Sequence, residues 1–168
     1  MLKAIIIIIG LVIAAVAWMR MQWAVGRNKR VAGKIVDKLK DGTYAPESLA
    51  ESLSMLIRTR PLPENANHQV IRQNMTGLTN NRLRDKFKVQ YATMDAGNKG
   101  VVIAEGVVKD QLSGGTAEVD VTYPCWLYIE ITEQGNEIRF QSSMPDGKDH
   151  HYLLEDISDA IFERCVGK

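Results

Sequence analysis

Three patterns of apolar and polar residues follow one another along the chain. Residues 4–18 form an unbroken apolar run, and a cluster of cations comes directly after it. Between residues 31 and 76, apolar residues recur every three or four positions, which predicts amphipathic helices. From residue 86 onward the period shortens to two, which predicts strands, and a last helical stripe over residues 150–166 closes the chain.

The helical spacing predicts three helices after the apolar run. The first covers residues 31–40 and ends at Asp41-Gly42. The second begins at Pro46-Glu47, where proline is tolerated, and its apolar positions continue through Arg60. The third covers residues 64–76, because Gly77 is a suitable stop.

Strict alternation predicts four strands, and the third is the clearest of them. Its odd positions from Ala117 to Ile131 are apolar, while most of its even positions are polar. Pro124 interrupts this strand and lacks the N–H that a central ladder needs. We therefore expect the strand to bend, bulge or run at an edge there, so that the sheet is curved.

Helices grouped before strands indicate an α+β fold rather than an alternating α/β fold. We expect an N-terminal transmembrane helix, further helices, a curved four-stranded antiparallel meander and a C-terminal helix that covers the inward face of the sheet. This outline resembles the cystatin-like or NTF2-like cone, but no motif supports either family and no residue role is transferred. The predicted units are an anchor over residues 1–26, a basic juxtamembrane helix or linker over 27–42 and a soluble α+β domain over 43–168.

The apolar run is long enough for a membrane anchor if it extends to Val25. The 22 residues from Ala4 to Val25 would reach about 33 Å as a helix, against a hydrocarbon core of roughly 30 Å. Trp18 and Trp23 would lie in the interfacial belt, with the side chain of Arg20 extended towards the headgroups. The alternative is a signal peptide that is cleaved after Ala15-Val16-Ala17, which fits an A-x-A signal.

Charge placement favours the uncleaved anchor. Residues 1–88 carry a net charge of +9 and residues 89–168 carry −8, and the cations concentrate just after the apolar run. By the positive-inside rule the soluble domain lies in the cytoplasm, and the anionic lipid surface becomes the first expected partner. A periplasmic or secreted domain is the alternative. The residues predicted at the membrane surface are Trp18, Arg20, Trp23, Arg27, Lys29, Arg30 and Lys34.

No motif specific enough to name a reaction occurs in the chain. Phosphate-binding, dinucleotide-binding, nucleophile-elbow and HExxH patterns are all missing from the sequence. Cys125 and Cys165 lie outside any CxxC pattern and fall on apolar positions, which favours buried thiols. The stretch Asp146–His151 is typical of solvated helix-cap residues rather than a metal site. We therefore predict no catalytic, cofactor or metal site, and the cations lack the interleaved aromatics of a nucleic-acid surface.

Aromatic side chains on the outward face of the third strand are the clearest candidate for an interaction site. Trp126 and Tyr128 occupy even positions beside Pro124, and large rings on an outward face are usually covered. The cover could be another chain, a peptide or the protein's own helices. We expect a structural or assembly subunit of a membrane-associated complex that docks through its α+β domain. A small-ligand-binding or enzymatic NTF2-like domain and a secreted domain are the alternatives.

Overall fold

The computed structural model describes residues 2–43, 45–46, 48, 56–111, 118–132, 136–143 and 151–167. The elements whose full bounds are described are three helices and six strands, and the strands form one antiparallel sheet. In the labels of the next sentence, the strand order is β1-β6-β5-β4-β3-β2. In chain order the elements are α1 (Leu2–Lys40), β1 (Leu56–Pro61), α2 (His68–Thr76), β2 (Arg82–Leu83), β3 (Phe87–Met94), β4 (Lys99–Gln111), β5 (Glu118–Thr132), β6 (Glu137–Ser143) and α3 (His151–Cys165).

The first helix, α1, is continuous from Leu2 to Lys40 and is therefore about 58 Å long. It ends as predicted, because Gly42 adopts a positive φ of 75° and the amide of Thr43 donates to the carboxylate of Asp41. The transmembrane helix predicted over residues 1–26 is not established by the structure. Among the residues described, no helix is both long enough and apolar enough to cross a membrane.

The sheet has an apolar inner face, and the main core lies between this face and helices α2 and α3. Phe87, Leu127 and Phe140 are fully buried there, and Ile157 and Ile161 of α3 cover them. The prediction for the third strand is confirmed at the odd positions whose burial the structure describes. Cys125, Leu127, Ile129 and Ile131 point inward and share the core with the last helix. The side chains that fill this core lie within van der Waals reach of one another, as in close-packed interiors.

Six strands form the sheet rather than the predicted four, because the sequence pattern misses β1 and β2. Leu56 and Ile57 were assigned to the end of a helix, but they begin β1, which pairs with β6. The half-buried positions of β1 are Arg58 and Arg60, whose charges pair with Asp159 of α3, so no apolar alternation marks the strand. Pro46 and Ser48 are helical, whereas the leucines of that predicted helix at positions 49 and 53 lie outside the described residues.

Pro124 lies in the middle of β5 without breaking its register, since it pairs with Glu105 of β4. The described pairing of β5 with β6 begins at Trp126, opposite Ser143. The register shift in the sheet is found elsewhere, between Val89 and Tyr91 of β3.

Candidate membrane-facing and docking surfaces

The N-terminal half of α1 presents apolar side chains on every side of the helix. Eleven large apolar side chains between Ile6 and Trp23 are 42–67% exposed. Full burial of one such side chain contributes about 1.5–3 kcal/mol, so removing this set from water would contribute on the order of 10 kcal/mol. A helix that is apolar all round and exposed to water is unstable unless something covers it.

The C-terminal half of α1 is basic. Arg20, Arg30 and Lys34 are exposed, and the Nε of Arg30 donates to the carbonyl of Gly26 at 3.2 Å. The backbones of Arg27 and Lys29 belong to the same helix, but their side chains lie outside the described set. Lys38 and Lys40, which were not among the predicted residues, continue the basic segment to the end of the helix.

The last two turns of α1 pack on the outer face of the sheet. Val36 is 9% exposed, and Ile35 and Leu39 on the same side of the helix are half-buried. We call the surface that they contact the α1 seat. It consists of Tyr91 on β3, Val101 and Ile103 on β4, and Trp126 and Tyr128 on β5.

The aromatic pair predicted as an interaction site therefore lies beneath the protein's own helix. Tyr128 is 4% exposed and Trp126 is partly buried beside it, as in the alternative in which the protein's own helices are the cover. The side chain of Pro124, the third predicted member, lies outside the described set. Sequence reasoning missed Tyr91. Strict alternation with Phe87 and Val89 predicts an inward side chain, but the register shift between Val89 and Tyr91 moves Tyr91 to the outer face.

Two polar atoms on this outer face of the sheet are buried without a hydrogen-bond partner among the described residues. They are Nε1 of Trp126 and Nε of Arg139. Leaving a buried donor unpaired costs about 1–3 kcal/mol. Since Trp126 belongs to the α1 seat, its unpaired N–H makes the free energy of docking less favourable than the buried apolar area alone would give.

The two cysteine thiols, on the inner side of the sheet, are poorly suited to act as nucleophiles. Cys125 and Cys165 lie in the main core and are not joined in a disulfide. Burial raises the pKa of each thiol to about 12, so that very little thiolate is present near neutral pH. A cleft of about 330 Å³ lies between Asn67, the N-cap residue of α2, and Arg164 in the last turn of α3.

Ion pairs between the sheet and α3 surround the main core. Glu163 pairs with Arg84 at 2.6 Å, Asp156 pairs with Lys86, and Asp159 pairs with two arginines of β1. The side chains are partly exposed, so each pair contributes less than about 1 kcal/mol. Through these pairs, Asp156, Asp159 and Glu163 of α3 are already bound to cations of the same chain.

No family model matches the chain, and no curated protein or solved structure shows significant similarity to it.

Proposed function

We propose that this protein is a single-pass membrane-anchored subunit of a larger membrane-associated complex, with its α+β domain in the cytoplasm. The observation that carries the proposal is the contrast between the two ends of the molecule. The domain has a closed apolar core, whereas the N-terminal half of α1 leaves eleven large apolar side chains exposed to solvent. Lipid is the cover that matches a helix apolar on every side.

The length of the apolar stretch supports this proposal. The described apolar side chains from Ile6 to Met19 extend about 20 Å along the helix axis. The sequence continues apolar on both sides, so that residues 4–25 would extend about 33 Å, which fits the hydrocarbon core of a bilayer. Trp18 and Trp23 would then lie close to one interface, next to the basic segment.

The α1 seat gives the outward aromatics a function in this proposal. They hold the end of the anchor helix, so that the domain stays at a constant distance from the membrane. The packing between the sheet and helices α2 and α3 favours a docking role over an NTF2-like ligand cavity, because Phe87, Phe140 and Met75 are fully buried against the described inner face.

Membrane insertion is tested with paired charge substitutions. Ile8→Arg with Val12→Arg places two cations in the middle of the proposed anchor, where each costs about 2.5–3.5 kcal/mol. The matched control is Ile57→Arg with Val107→Arg, at comparably exposed apolar positions of the sheet. We expect wild type and the control to remain in the membrane pellet after carbonate extraction and the α1 variant to be released. Release of the wild-type chain, or equal behaviour of all three, would show that α1 is not an anchor.

Topology is tested by thiol labelling in intact cells. The two native thiols are buried with raised pKa values, so an added Glu64→Cys in an exposed loop is the reporter. We expect an impermeant maleimide to label it only after the inner membrane is permeabilised. Labelling in intact cells, or an intact mass that lacks residues 1–17, would support the external alternative and contradict the proposal.

Membership of a complex is tested by native mass after gentle solubilisation. We expect the full chain to migrate in an assembly larger than its 18.8 kDa monomer with bound detergent. Recovery of the monomer alone under conditions that preserve known membrane complexes would contradict this part of the proposal.

A further inference from the structure

A row of cations runs along the side of α1 that faces away from the sheet. We call it the basic stripe, and its described members are Arg20, Arg30, Lys34 and Lys38, all exposed. Arg30, Lys34 and Lys38 follow one another at four-residue intervals, so successive side chains turn by only about 40°. Arg20 is 18 residues before Lys38, which is about five helical turns, and the two therefore share one side of the helix.

The basic stripe has no carboxylate partner within 4 Å among the described residues. Asp37 is exposed on the same helix, three residues after Lys34, and Asp41 accepts a hydrogen bond from the amide of Thr43, while the nearby charge of Lys38 helps to lower its pKa. Residues 27–40 contain six cations and one acid, which leaves a net charge of +5. Such a concentration of one sign attracts a partner of the opposite sign.

A second copy of this chain is a poor match for the stripe. Its most acidic helix, α3, already pairs Asp156, Asp159 and Glu163 with basic residues of its own sheet. Docking that helix on the stripe of another copy would break these pairs before new ones formed. Among the described helices of this chain, none therefore offers a free row of carboxylates that matches the stripe.

The length of the stripe also separates a protein partner from the lipid surface. If residues 4–25 of α1 lie in the hydrocarbon core, Lys34 and Lys38 lie about 14 and 20 Å beyond its edge along the helix axis. The headgroup layer is only about 5–8 Å thick, and the attraction of its charge decays over a Debye length of about 8 Å. Anionic lipid can therefore reach Arg30 and interact with Lys34, but its attraction has largely decayed at Lys38.

We propose that the distal stripe, Arg30, Lys34 and Lys38, binds an acidic α-helix of a partner subunit that runs alongside α1. Carboxylates at four-residue intervals on that helix would match the spacing of the three cations. The Nε of Arg30 is held by the carbonyl of Gly26, and its terminal nitrogens remain available for a carboxylate. This inference rests on the proposed membrane anchor, which sets the depth of the stripe, and it identifies the surface and the chemistry of the complex.

The first experiment compares two double charge reversals in the full chain extracted from membranes. Lys34→Glu with Lys38→Glu reverses the distal stripe, and Arg82→Glu with Lys88→Glu makes the same change in charge at exposed positions of the sheet edge. We expect the stripe variant to lose the larger assembly and the control to keep it. Carbonate extraction of the same membranes should retain both variants, so loss of assembly is separated from failure of the anchor.

The second experiment measures the chemistry of recognition with a defined probe. A labelled synthetic helix with Glu at every fourth position is titrated into the full chain in neutral-lipid nanodiscs at low salt. We expect the stripe variant to bind it about tenfold more weakly than wild type, the control variant to be unchanged, and a peptide of the same composition in scrambled order to bind weakly to all. A matching Lys peptide should bind the stripe variant in preference to wild type.

Three outcomes would overturn the inference. Equal weakening by the stripe and control variants would show that overall charge rather than the stripe is responsible. Stripe-dependent binding to anionic vesicles, without binding to the Glu peptide, would assign the stripe to lipid. Stripe-dependent binding to duplex DNA in preference to the peptide would assign it to nucleic acid. A wild-type chain that is monomeric but binds the Glu peptide through the stripe would contradict the complex and support the recognition chemistry.

Discussion

Replacing Val36 with aspartate should detach the end of α1 from the sheet without unfolding the domain. Val36 is 9% exposed at the centre of the contact, and it belongs to a cluster on the outer face that is separate from the main core. The substitution removes an apolar contact and places a carboxylate against aromatic rings. The sheet should keep its structure, because its inner-face core does not involve α1.

The magnitude follows from the three side chains that make the contact. Val36 is nearly buried, and Ile35 and Leu39 are half-buried, so their apolar contribution is about 4 kcal/mol at most. The unpaired N–H of Trp126 costs about 1–3 kcal/mol, which leaves a docking free energy of about 1–3 kcal/mol. The loss of Val36 and the burial of a charge together exceed this margin.

Amide hydrogen exchange of the protein in detergent micelles is the assay. In wild type, docking should slow exchange at residues 35–40 by about 10- to 100-fold, and the Val36→Asp variant should lose this protection. The central residues of β4 and β5 should keep theirs, and the urea unfolding free energy of the sheet should fall by no more than about 1–3 kcal/mol. Lys38→Asp, on the exposed side of the same turn, is the control with a larger change in charge.

Two results would refute this reasoning. Loss of protection throughout the sheet would mean that the two apolar clusters form a single cooperative unit. Equal protection in Val36→Asp and Lys38→Asp would mean that the end of α1 does not contribute to the stability of the seat.

Three further predictions concern the main core. Gly106→Ala should lower the free energy of unfolding in urea by about 1–3 kcal/mol, because a Cβ there would lie 3.0 Å from a ring carbon of Phe87. The control is Gly97→Ala, whose Cβ would lie 3.3 Å from the flexible side chain of Asp95 and should change stability little. Phe140→Ala should cost about 3–5 kcal/mol in the same assay, and a cost below 1 kcal/mol would contradict its burial. Cys125 and Cys165 should resist maleimide at pH 8 until the protein is unfolded. Their pKa of about 12 in the folded state exceeds the unfolded value, so above about pH 9 the thiols ionise only in the unfolded chain. The free energy of unfolding should therefore fall by about 1.4 kcal/mol per thiol for each further pH unit. A variant with both cysteines replaced by alanine should lose this pH dependence.

Alternation in the sequence predicted the sheet well where one face of a strand is apolar. In β5, the odd-numbered side chains from Cys125 to Ile131 face the core as expected, because successive side chains of a strand point to opposite faces. The same rule failed for β1, where the half-buried positions are arginines that pair with Asp159. Their charge is compensated by a residue about 100 positions away, and no local pattern can show that.

The candidate site was predicted only in part, for a similar reason. The period of two placed Trp126 and Tyr128 on the outer face, and the helical period placed Ile35, Val36 and Leu39 on one side of a helix. Neither pattern shows that these two surfaces meet, because that depends on how the chain returns between α1 and β5. Local spacing therefore predicts the apolar side of α1 and the outward aromatic residues separately, but it does not predict that α1 packs on the seat.

The unbroken course of α1 has a mechanical consequence for the domain. The helix runs from Leu2 to Lys40 without proline, so rotation or tilting of its N-terminal half is carried to the aromatic rings beneath its last turns. A torque on that half would therefore turn the sheet with it, as long as the docking contact of about 1–3 kcal/mol holds.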